Sequence, residues 1–376
     1  MKIGLVCPYN IFRGGGVQEC VIALKDGIIA RGHEAYIITP QPRGIKAEST
    51  DGILLVGTAQ AIRANRTYAD VSVSVDIEKL EALLEKEKFD ILHFHEPWVP
   101  ILSRQILTRS KAIHIATFHA AMSERRTSRT VERVITPYTK SIFKYVDVMT
   151  AVSPTATNYV STLTGRKLQI VPNGIDLTKY KESPHNSKPK RIKTILYIGR
   201  LEKRKGVKYL LNAFDVLSTQ DHNFRLIIAG DGPDRSKLED QVEKNSVRGV
   251  TFLGYIDEKK KLSLLNSSDV FCSPALYGES FGIVLLEAMA SGCVIVAGNN
   301  SGYESVLQGR GQISLVNPKD EVEFARRLKL LATDEVLRKA WKDWAREHVV
   351  NYNYSKVVDE YIDIYQSAYE KRQHRA

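Results

Sequence analysis

Cysteine is scarce in this chain, and long apolar runs are missing. The 376 residues include four cysteines, which are Cys7, Cys20, Cys272 and Cys293. None of them forms a Cys-x-x-Cys pair, and no cysteine–histidine spacing is typical of a zinc site. All four lie in apolar stretches, so we expect buried, reduced thiols, no disulfide framework and a cytoplasmic protein.

No apolar run approaches the roughly 20 residues that a membrane helix needs. The first segment, MKIGLVCPYN, predicts a strand rather than the apolar core of a signal peptide. The chain does contain 43% hydrophobic residues, enough to build real cores, and its length suits two or three domains.

Positive charge is in excess, with a formal net charge of +11 and a pI near 9.3. Such a balance indicates a polyanionic partner. Residues 185–208 carry nine Lys or Arg against one Glu, and residues 104–144 carry nine against two Glu. No RNA- or DNA-binding signature accompanies either stretch, which favours phosphorylated ligands or an anionic membrane surface over nucleic acid.

Short apolar runs alternate with amphipathic runs, and the alternation breaks once. In the first half the periodicity predicts strands and helices at 2–7, 14–32, 34–39, 75–89, 90–94, 113–118 and 147–152. Residues 172–192 hold three prolines and no periodicity, which predicts a linker. The alternation then restarts at residue 194.

This pattern predicts an α/β protein made of two Rossmann-like, doubly wound domains that face a central cleft. The expected domains are residues 1–171 and 193–351, with a C-terminal helix at about 352–376 packing back on the first. Ligands of such sheets bind outside the carboxyl ends of the strands. Motifs that directly follow strands are therefore the candidate functional residues.

Two glycine-containing loops follow predicted strands. The Gly14–Gly16 run enters a helix, whose first N–H groups favour an anion. It lacks the GxGxxG spacing, and no acid ends the second strand, which argues against a dinucleotide oxidoreductase; a tight turn without a ligand is the alternative. In the second loop, Gly199–Gly206, Arg200 and Lys205 suit a diphosphate, while a solvated basic loop is the alternative.

Two carboxylates, Glu279 and Glu287, stand eight residues apart in PALYGESFGIVLLEAMASG. We expect a helix to begin near Ser280 to Gly282. Glu279 would then precede the helix and accept hydrogen bonds from ligand hydroxyls, and Glu287 would lie two turns in, where it suits a ribose diol. The alternative is two ordinary surface acids, with Glu279 as an N-terminal cap.

Together these motifs resemble those of the retaining glycosyltransferases of family four, which have the two-domain GT-B fold and the signature E-x7-E. The resemblance covers nearly the whole chain and is strongest to the phosphatidylinositol mannosyltransferases. The matching segments are CPY (7–9), GGVQ (15–18), GHE (32–34), FDILHFHEP (89–97), ATFH (116–119), VPNGID (171–176), GR (199–200), RKG (204–206) and GESFGIVLLEAMA (278–290).

The resemblance implies roles for these residues. Arg200 and Lys205 would bind the donor diphosphate, Glu279 the transferred sugar and Glu287 the nucleotide ribose, while His119 would orient the sugar and the acceptor. Gly16 would approach the diphosphate from the first domain. The remaining residues assigned to the donor are Gly15, Gly230, Ile256, Glu258, Lys261, Ser280, Phe281, Gly282, Ile283 and Val284. Those assigned to the acceptor are Tyr9, Gln18, Arg66 and Thr117.

The resemblance also implies chemistry. The cations and helix N-termini would stabilise the leaving diphosphate, and no acidic cluster ends a strand, so neither a metal nor another cofactor is expected. Family members retain configuration without an enzymic nucleophile. Glu258, in the loop that matches the family's base-reading loop, suits guanine, which offers two N–H groups. This favours GDP-mannose as donor, with a UDP-sugar as the alternative.

The acceptor is the least determined part of the prediction. Phosphatidylinositol is one candidate, and a diacylglycerol lipid or a soluble sugar are the others. The segment VERVITPYTKSIFKYV (131–146) has an apolar stripe and basic flanks, so it either lies peripherally on the inner face of the plasma membrane or packs on its own domain. A catalytically silent sugar-nucleotide binder is the alternative from another class.

Overall fold

The computed structural model describes residues 1–42, 50, 52–64, 67–120, 136–180 and 191–374. The chain forms two compact units. Unit 1 comprises Met1–Gly174 and Tyr354–Ala376, and unit 2 comprises Ile175–Asn353. The first part of unit 1 ends three residues beyond the predicted end of the first domain at residue 171, and unit 2 ends two residues beyond the predicted end of the second domain at residue 351.

Unit 1 contains an eight-stranded sheet in the order β4-β3-β2-β1-β5-β6-β7-β8. All neighbours are parallel except β3 and β4, which pair antiparallel at one edge. The strands are β1 (Lys2–Val6), β2 (Glu34–Gln41), β3 (Ile53–Ala64), β4 (Thr67–Ser74), β5 (Ile91–His95), β6 (Ile113–Phe118), β7 (Val148–Ala151) and β8 (Gln169–Ile170). The edge pair β3–β4 is not among the strands that the sequence periodicity predicts.

Five helices of unit 1 connect these strands, namely α1 (Gly16–Ile29), α2 (Ile77–Glu87), α3 (Leu102–Leu107), α4 (Thr136–Ile142) and α5 (Pro154–Thr164). Their ends follow local sequence. Ser153 caps α5 by accepting a hydrogen bond from the Ala156 N–H at 3.1 Å, and Pro154 occupies the first turn, where its missing N–H has no partner to lose.

The segment considered for a membrane surface is only partly described, since residues 121–135 lie outside the described ranges. Within it, Ile142 of α4 is fully buried and Phe143 is 8% exposed, so these two side chains pack on their own unit. Among the described residues, no helix is both long and apolar enough to cross a bilayer.

Unit 2 contains a six-stranded, all-parallel sheet in the order β11-β10-β9-β12-β13-β14. Its strands are β9 (Lys193–Ile198), β10 (Phe224–Ala229), β11 (Val250–Gly254), β12 (Val270–Ser273), β13 (Val294–Gly298) and β14 (Leu315–Val316). Its helices are α6 (Val207–Gln220), α7 (Arg235–Lys244), α8 (Glu258–Ser267), α9 (Ile283–Ala290), α10 (Ser301–Val306), α11 (Glu321–Thr333) and α12 (Glu335–Val349).

The last helix, α13 (Tyr354–Gln373), belongs to unit 1. Its residues Val357, Val358, Tyr361 and Tyr365 join the apolar cluster of α1 and the sheet. On the surface, Arg31 at the end of α1 lies 2.5 Å from the Asp359 carboxylate. All four cysteines are free and buried, as their apolar surroundings predict.

The strand order of each sheet reverses once, between β1 and β5 in unit 1 and between β9 and β12 in unit 2. Loops that leave the carboxyl ends of strands at such a switch point diverge and leave a crevice. In unit 2 these are the loops after β9 and β12. In unit 1 they are the loops after β1 and β5.

Candidate active site

The loop after β9 places a row of cations beside the loop after β12. The Lys205 Nζ lies 2.8 Å from Glu279 Oε1, and Arg204 Nη1 lies 2.5 Å from the same oxygen. Arg204 also reaches Glu202 Oε1 at 2.8 Å. Arg200, in the same loop, is partly exposed, and the Tyr197 hydroxyl donates to its carbonyl at 2.8 Å. The structure therefore brings the predicted Lys205 and Glu279 into direct contact.

These charges are largely shielded from solvent. The side chains of Glu279 and Lys205 are 12% and 17% exposed. Burial lowers the pKa of Arg204, but the charges of Glu279 and Glu202 outweigh it and raise that pKa above its usual value. Arg204 is a site residue that the sequence argument misses. Arg204 and its partner Glu279 are 75 positions apart in the chain.

Helix α9 begins at Ile283, directly after the predicted start region. Gly282 caps it with φ of 103°, and a Cβ there would lie 2.7 Å from the Tyr303 ring, so the position requires glycine. Phe281 is 4% exposed and packs edge-on against Tyr352. Its side chain therefore belongs to the interior of unit 2, whereas Ser280, Ile283 and Val284 are partly exposed.

Glu287 is buried at 7% exposure on α9. Its Oε1 accepts hydrogen bonds from the Lys261 ammonium at 2.7 Å and from the Tyr180 hydroxyl at 3.1 Å. Burial lowers the pKa of Lys261, but the Glu287 charge and hydrogen bonds to Glu287 and Glu258 raise it overall. Glu287 is thus buried and Glu279 is largely shielded, each beside a lysine, which contradicts the alternative of two ordinary surface acids.

Tyr180 is a second residue that the sequence argument misses. It ends a short 3₁₀ helix, Leu177–Tyr180, inside the segment predicted as a linker, and it is 6% exposed. Residues 175–180 thus belong to unit 2. No periodicity marks so short a turn, and its contact with Glu287 spans 107 residues.

The loop between β11 and α8 holds the residues assigned to the base. Ile256 is partly exposed, and the Glu258 side chain is 57% exposed with one oxygen 2.9 Å from the Lys261 Nζ. Gly230, after β10, has φ of 128°, and a Cβ there would lie 1.9 Å from the Gly199 carbonyl oxygen. Only glycine allows these two loops to approach so closely.

In unit 1 the loop after β1 holds Tyr9 and Gly15, and Gly16 and Gln18 lie in the first turn of α1. Gly15 precedes α1, Gly16 is its first residue, and the Gln18 amide lies 3.4 Å from the Asn10 carbonyl. Burial raises the pKa of Tyr9 well above its usual value, and the nearby charge of Glu96 raises it further.

His119 directly follows β6 and is 8% exposed. Its Nε2 lies 2.9 Å from His95 Nδ1, and the two rings stack with centroids 5.2 Å apart. Burial lowers the pKa of His119 to about 4, although a hydrogen bond with the Asn173 side chain opposes that change. The ring is therefore neutral at neutral pH and offers hydrogen bonds rather than charge.

Two other residues, Thr117 and Arg66, were also assigned to the acceptor. The Thr117 side chain is fully buried, and its hydroxyl lies 2.6 Å from His93 Nε2, 2.6 Å from Thr150 Oγ1 and 3.1 Å from the Tyr361 hydroxyl. It therefore belongs to an internal polar network beneath His119. Arg66 lies outside the described residues.

One more buried residue, Glu96, touches the end of β6 and is missed by the sequence argument. It lies in the quoted segment FDILHFHEP and follows β5 at the switch point. Its Oε1 accepts hydrogen bonds from the backbone N–H groups of His119 and Ala120. The sequence does contain a signal for this residue, which is an acidic side chain directly after a strand.

His119 and two neighbouring residues could together hold a metal ion. The donor atoms of Cys20, His95 and His119 lie within 4.8 Å of one another. Nitrogen and sulfur donors suit zinc rather than magnesium. Binding would have to replace the hydrogen bond between the two histidines.

Models of two protein families match the chain in succession. The model described as Glycosyltransferase Family 4 matches residues 14–179, and the model described as Glycosyl transferases group 1 matches residues 179–348. Together they cover nearly the whole chain and divide it close to the boundary between the two units.

Several similar proteins share one name. A phosphatidyl-myo-inositol mannosyltransferase of Mycolicibacterium smegmatis is 32% identical over 371 residues, which span 98% of this chain and 94% of that protein. The enzyme of the same name from Mycobacterium leprae is 31% identical over 370 residues, 98% of this chain and 97% of the other.

Solved structures of the same fold are more distant in sequence. Sucrose-phosphate synthase from Thermosynechococcus elongatus superposes with a TM-score of 0.78 at 19% identity and covers 98% of this chain and 99% of its own. Anabaena HepE in complex with UDP-glucose gives 0.76 at 17% identity, with 98% and 100% covered. These likenesses show two Rossmann-like α/β domains of the GT-B type, as the sequence pattern predicts.

Proposed function

The chain belongs to glycosyltransferase family 4, and on that premise we propose that it transfers mannose from GDP-mannose to a hydroxyl of phosphatidylinositol. The proposal includes retention of the anomeric configuration and no requirement for a metal ion. The names and the near full-length similarity of the curated relatives support the substrates. The observation that most strongly supports the proposed chemistry is the contact of Glu279 with Lys205 at the carboxyl edge of the unit 2 sheet.

That contact supports a binding site for a sugar diphosphate. Breaking the sugar–phosphate bond builds negative charge on the leaving diphosphate, and cations already held in place stabilise that charge without reorganisation. Lys205 is held by Glu279, and Arg204 is held by Glu279 and Glu202. Arg200 of the same loop is the other proposed diphosphate ligand.

The proposed step balances without an enzymic nucleophile. The acceptor hydroxyl oxygen forms a bond to the anomeric carbon on the face that the leaving group occupies. The bond between that carbon and the phosphate oxygen breaks, and its electron pair stays on the diphosphate. The hydroxyl proton passes to the same phosphate oxygen. Neutral His119 orients the reacting hydroxyls by hydrogen bonding, since its low pKa keeps the ring uncharged at neutral pH.

Calorimetric titration of the EDTA-treated protein with GDP and with UDP tests the donor. We expect GDP to bind more tightly, because the Glu258 carboxylate, 57% exposed at the start of α8, can accept from two N–H groups of guanine and from only one of uracil. Tighter binding of UDP would overturn the mannosyl donor and favour a UDP-sugar-dependent transferase. A loss of binding that magnesium restores would overturn metal independence.

An acceptor assay separates the remaining alternatives. Radiolabelled GDP-mannose is offered with vesicles that contain phosphatidylinositol, with vesicles that contain diacylglycerol, and with soluble sugars. The proposal requires label to enter phosphatidylinositol. Label in another acceptor would move the function to that class, and neither transfer nor donor hydrolysis with any of them would indicate a binding protein that does not catalyse.

Replacing Glu287 by glutamine is expected to raise the donor KM about tenfold and to change kcat less than about threefold. The ribose contact is made equally in the ground state and the transition state, so its loss weakens binding alone. Steady-state kinetics with varied GDP-mannose measures both constants. Tyr180→Phe is the matched control, since it removes the neutral donor to the same oxygen and should have a smaller effect. A fall in kcat at constant KM would contradict a ribose role.

A further inference from the structure

Glu96 occupies an unfavourable backbone conformation at the unit 1 switch point. Its φ is 52°, in the left-handed region that glutamate rarely adopts, and it is 1% exposed. Such strain persists only where the surroundings impose it, and it concentrates at functional sites. A glycine would take the same φ without strain, so the side chain itself must account for the residue.

That side chain holds the end of β6. Its Oε1 accepts from the His119 N–H in a short hydrogen bond and from the Ala120 N–H at 2.7 Å. The Glu96 N–H in turn donates to the Thr117 carbonyl at 2.9 Å. Three hydrogen bonds therefore join one residue after β5 to the backbone on both sides of the His119 ring.

Burying the carboxyl group of Glu96 costs folding free energy, so packing alone does not explain the residue. Burial raises the pKa of Glu96 to about 7, although hydrogen bonds from the Ala120 and His119 backbones oppose that change. Its second oxygen, Oε2, is buried and has no hydrogen-bond partner among the described residues. A buried carboxylate without full compensation destabilises the fold when ionised.

We propose that Glu96 is a positioning residue of the transfer reaction, whose ionised carboxylate fixes the backbone of His119 and Ala120 and thereby aims the His119 ring at the reacting sugar. This inference rests on the proposed function. The carboxylate is the stronger acceptor when ionised, so protonation loosens the hold on the two amides without removing the side chain.

The test compares wild type with Glu96→Gln, which keeps the shape and one acceptor oxygen but cannot ionise. We expect kcat of the variant to fall roughly tenfold or more at pH 8, because small misplacements of a reacting group have effects of this size. A full wild-type kcat in the variant would overturn the proposal.

Stability should move in the opposite direction, which a merely structural role does not predict. Glutamine removes a buried charge whose Oε2 has no hydrogen-bond partner among the described residues, and an uncompensated buried charge destabilises the fold. At pH 8 Glu96→Gln should therefore melt at a higher temperature than wild type while catalysing more slowly. A variant that is both slower and less stable at pH 8 would indicate a structural role instead.

Two further variants isolate the side chain from the backbone strain. Glu96→Gly removes the strain and the carboxylate together and should be at least as slow as Glu96→Gln; retained activity would overturn the proposal. Lys88→Gly is the control, because Lys88 is an exposed residue of unit 1 with φ of 45° and lies outside the site. Its kcat should match that of wild type.

A measurement without substrate separates this inference from the proposed function. In protein labelled with ¹⁵N at histidine and alanine, the His119 and Ala120 amide proton resonances should move upfield in Glu96→Gln, because both amides lose a hydrogen bond to a carboxylate. Such shifts in a protein that transfers no mannose would overturn the function and keep the hold on His119. Unchanged amide resonances in an active enzyme would overturn the role of Glu96 alone.

Discussion

Replacing Lys205 by alanine lowers kcat roughly 100- to 1,000-fold, the largest loss expected for any single change in unit 2. The magnitude is that of removing one preorganised donor from a site where charge develops. Lys205 is only 17% exposed, so solvent cannot replace its ammonium at the leaving diphosphate. The donor KM should change much less than kcat, because the charge on the diphosphate increases in the transition state.

Lys203→Ala is the matched control for this experiment. Lys203 and Lys205 belong to one short 3₁₀ helix, Lys203–Lys205, but Lys203 is exposed. The Lys203 variant should keep wild-type kcat and donor KM. The Lys205 variant should remain folded, since Arg204 still pairs with the Glu279 carboxylate. Equal losses in both variants would show that the loop acts only through its total charge and would contradict the assignment of Lys205 to the diphosphate.

Replacing Glu279 by glutamine should lower kcat about 100-fold and yet tighten the binding of GDP. The carboxylate lies within 2.8 Å of both the Lys205 ammonium and the Arg204 guanidinium. Its neutralisation leaves the Lys205 ammonium without this counter-charge and leaves Arg204 paired with Glu202 alone, and an anionic nucleotide then binds more favourably. The transferred sugar loses a charged hydrogen-bond acceptor and keeps only a weaker amide oxygen, which accounts for the lower rate.

Two measurements check this pair of opposite effects: steady-state kcat with GDP-mannose, and calorimetric titration with GDP alone. Glu304→Gln changes an exposed acid of α10 and serves as the control for a change in net charge, with no expected effect on either quantity. Weaker GDP binding in Glu279→Gln would contradict the account, since it would show that the carboxylate supports the nucleotide rather than the sugar.

The fold was largely predictable because the alternation of apolar runs and helical periods is a local property of the sequence. Helix α9 begins at Ile283, next to the predicted start, because glycines before an apolar stretch mark such an end. The edge pair β3–β4 was missed although VSVSV alternates clearly. Antiparallel edge strands break the expected strand–helix order, and the prediction followed that order.

The positions of candidate site residues were predictable where they lie in loops at the carboxyl ends of strands: His119 directly follows β6, Lys205 lies in the loop after β9 and Glu279 in the loop after β12. The supporting residues were not. Arg204 and Tyr180 contact the two glutamates across 75 and 107 residues, and no local pattern encodes such distances. Glu96 depends on a left-handed backbone angle that the sequence HEP does not reveal.

The return of α13 to unit 1 has a consequence for synthesis on the ribosome. Unit 2 is an insertion within unit 1, because Gly174 and Tyr354 belong to one unit and the 179 residues between them to the other. The core of unit 1 needs Val358, Tyr361 and Tyr365 of α13, which emerge after the whole of unit 2. The domain translated first is therefore the one completed last, and until then the sheet surface that α13 covers is exposed to chaperones.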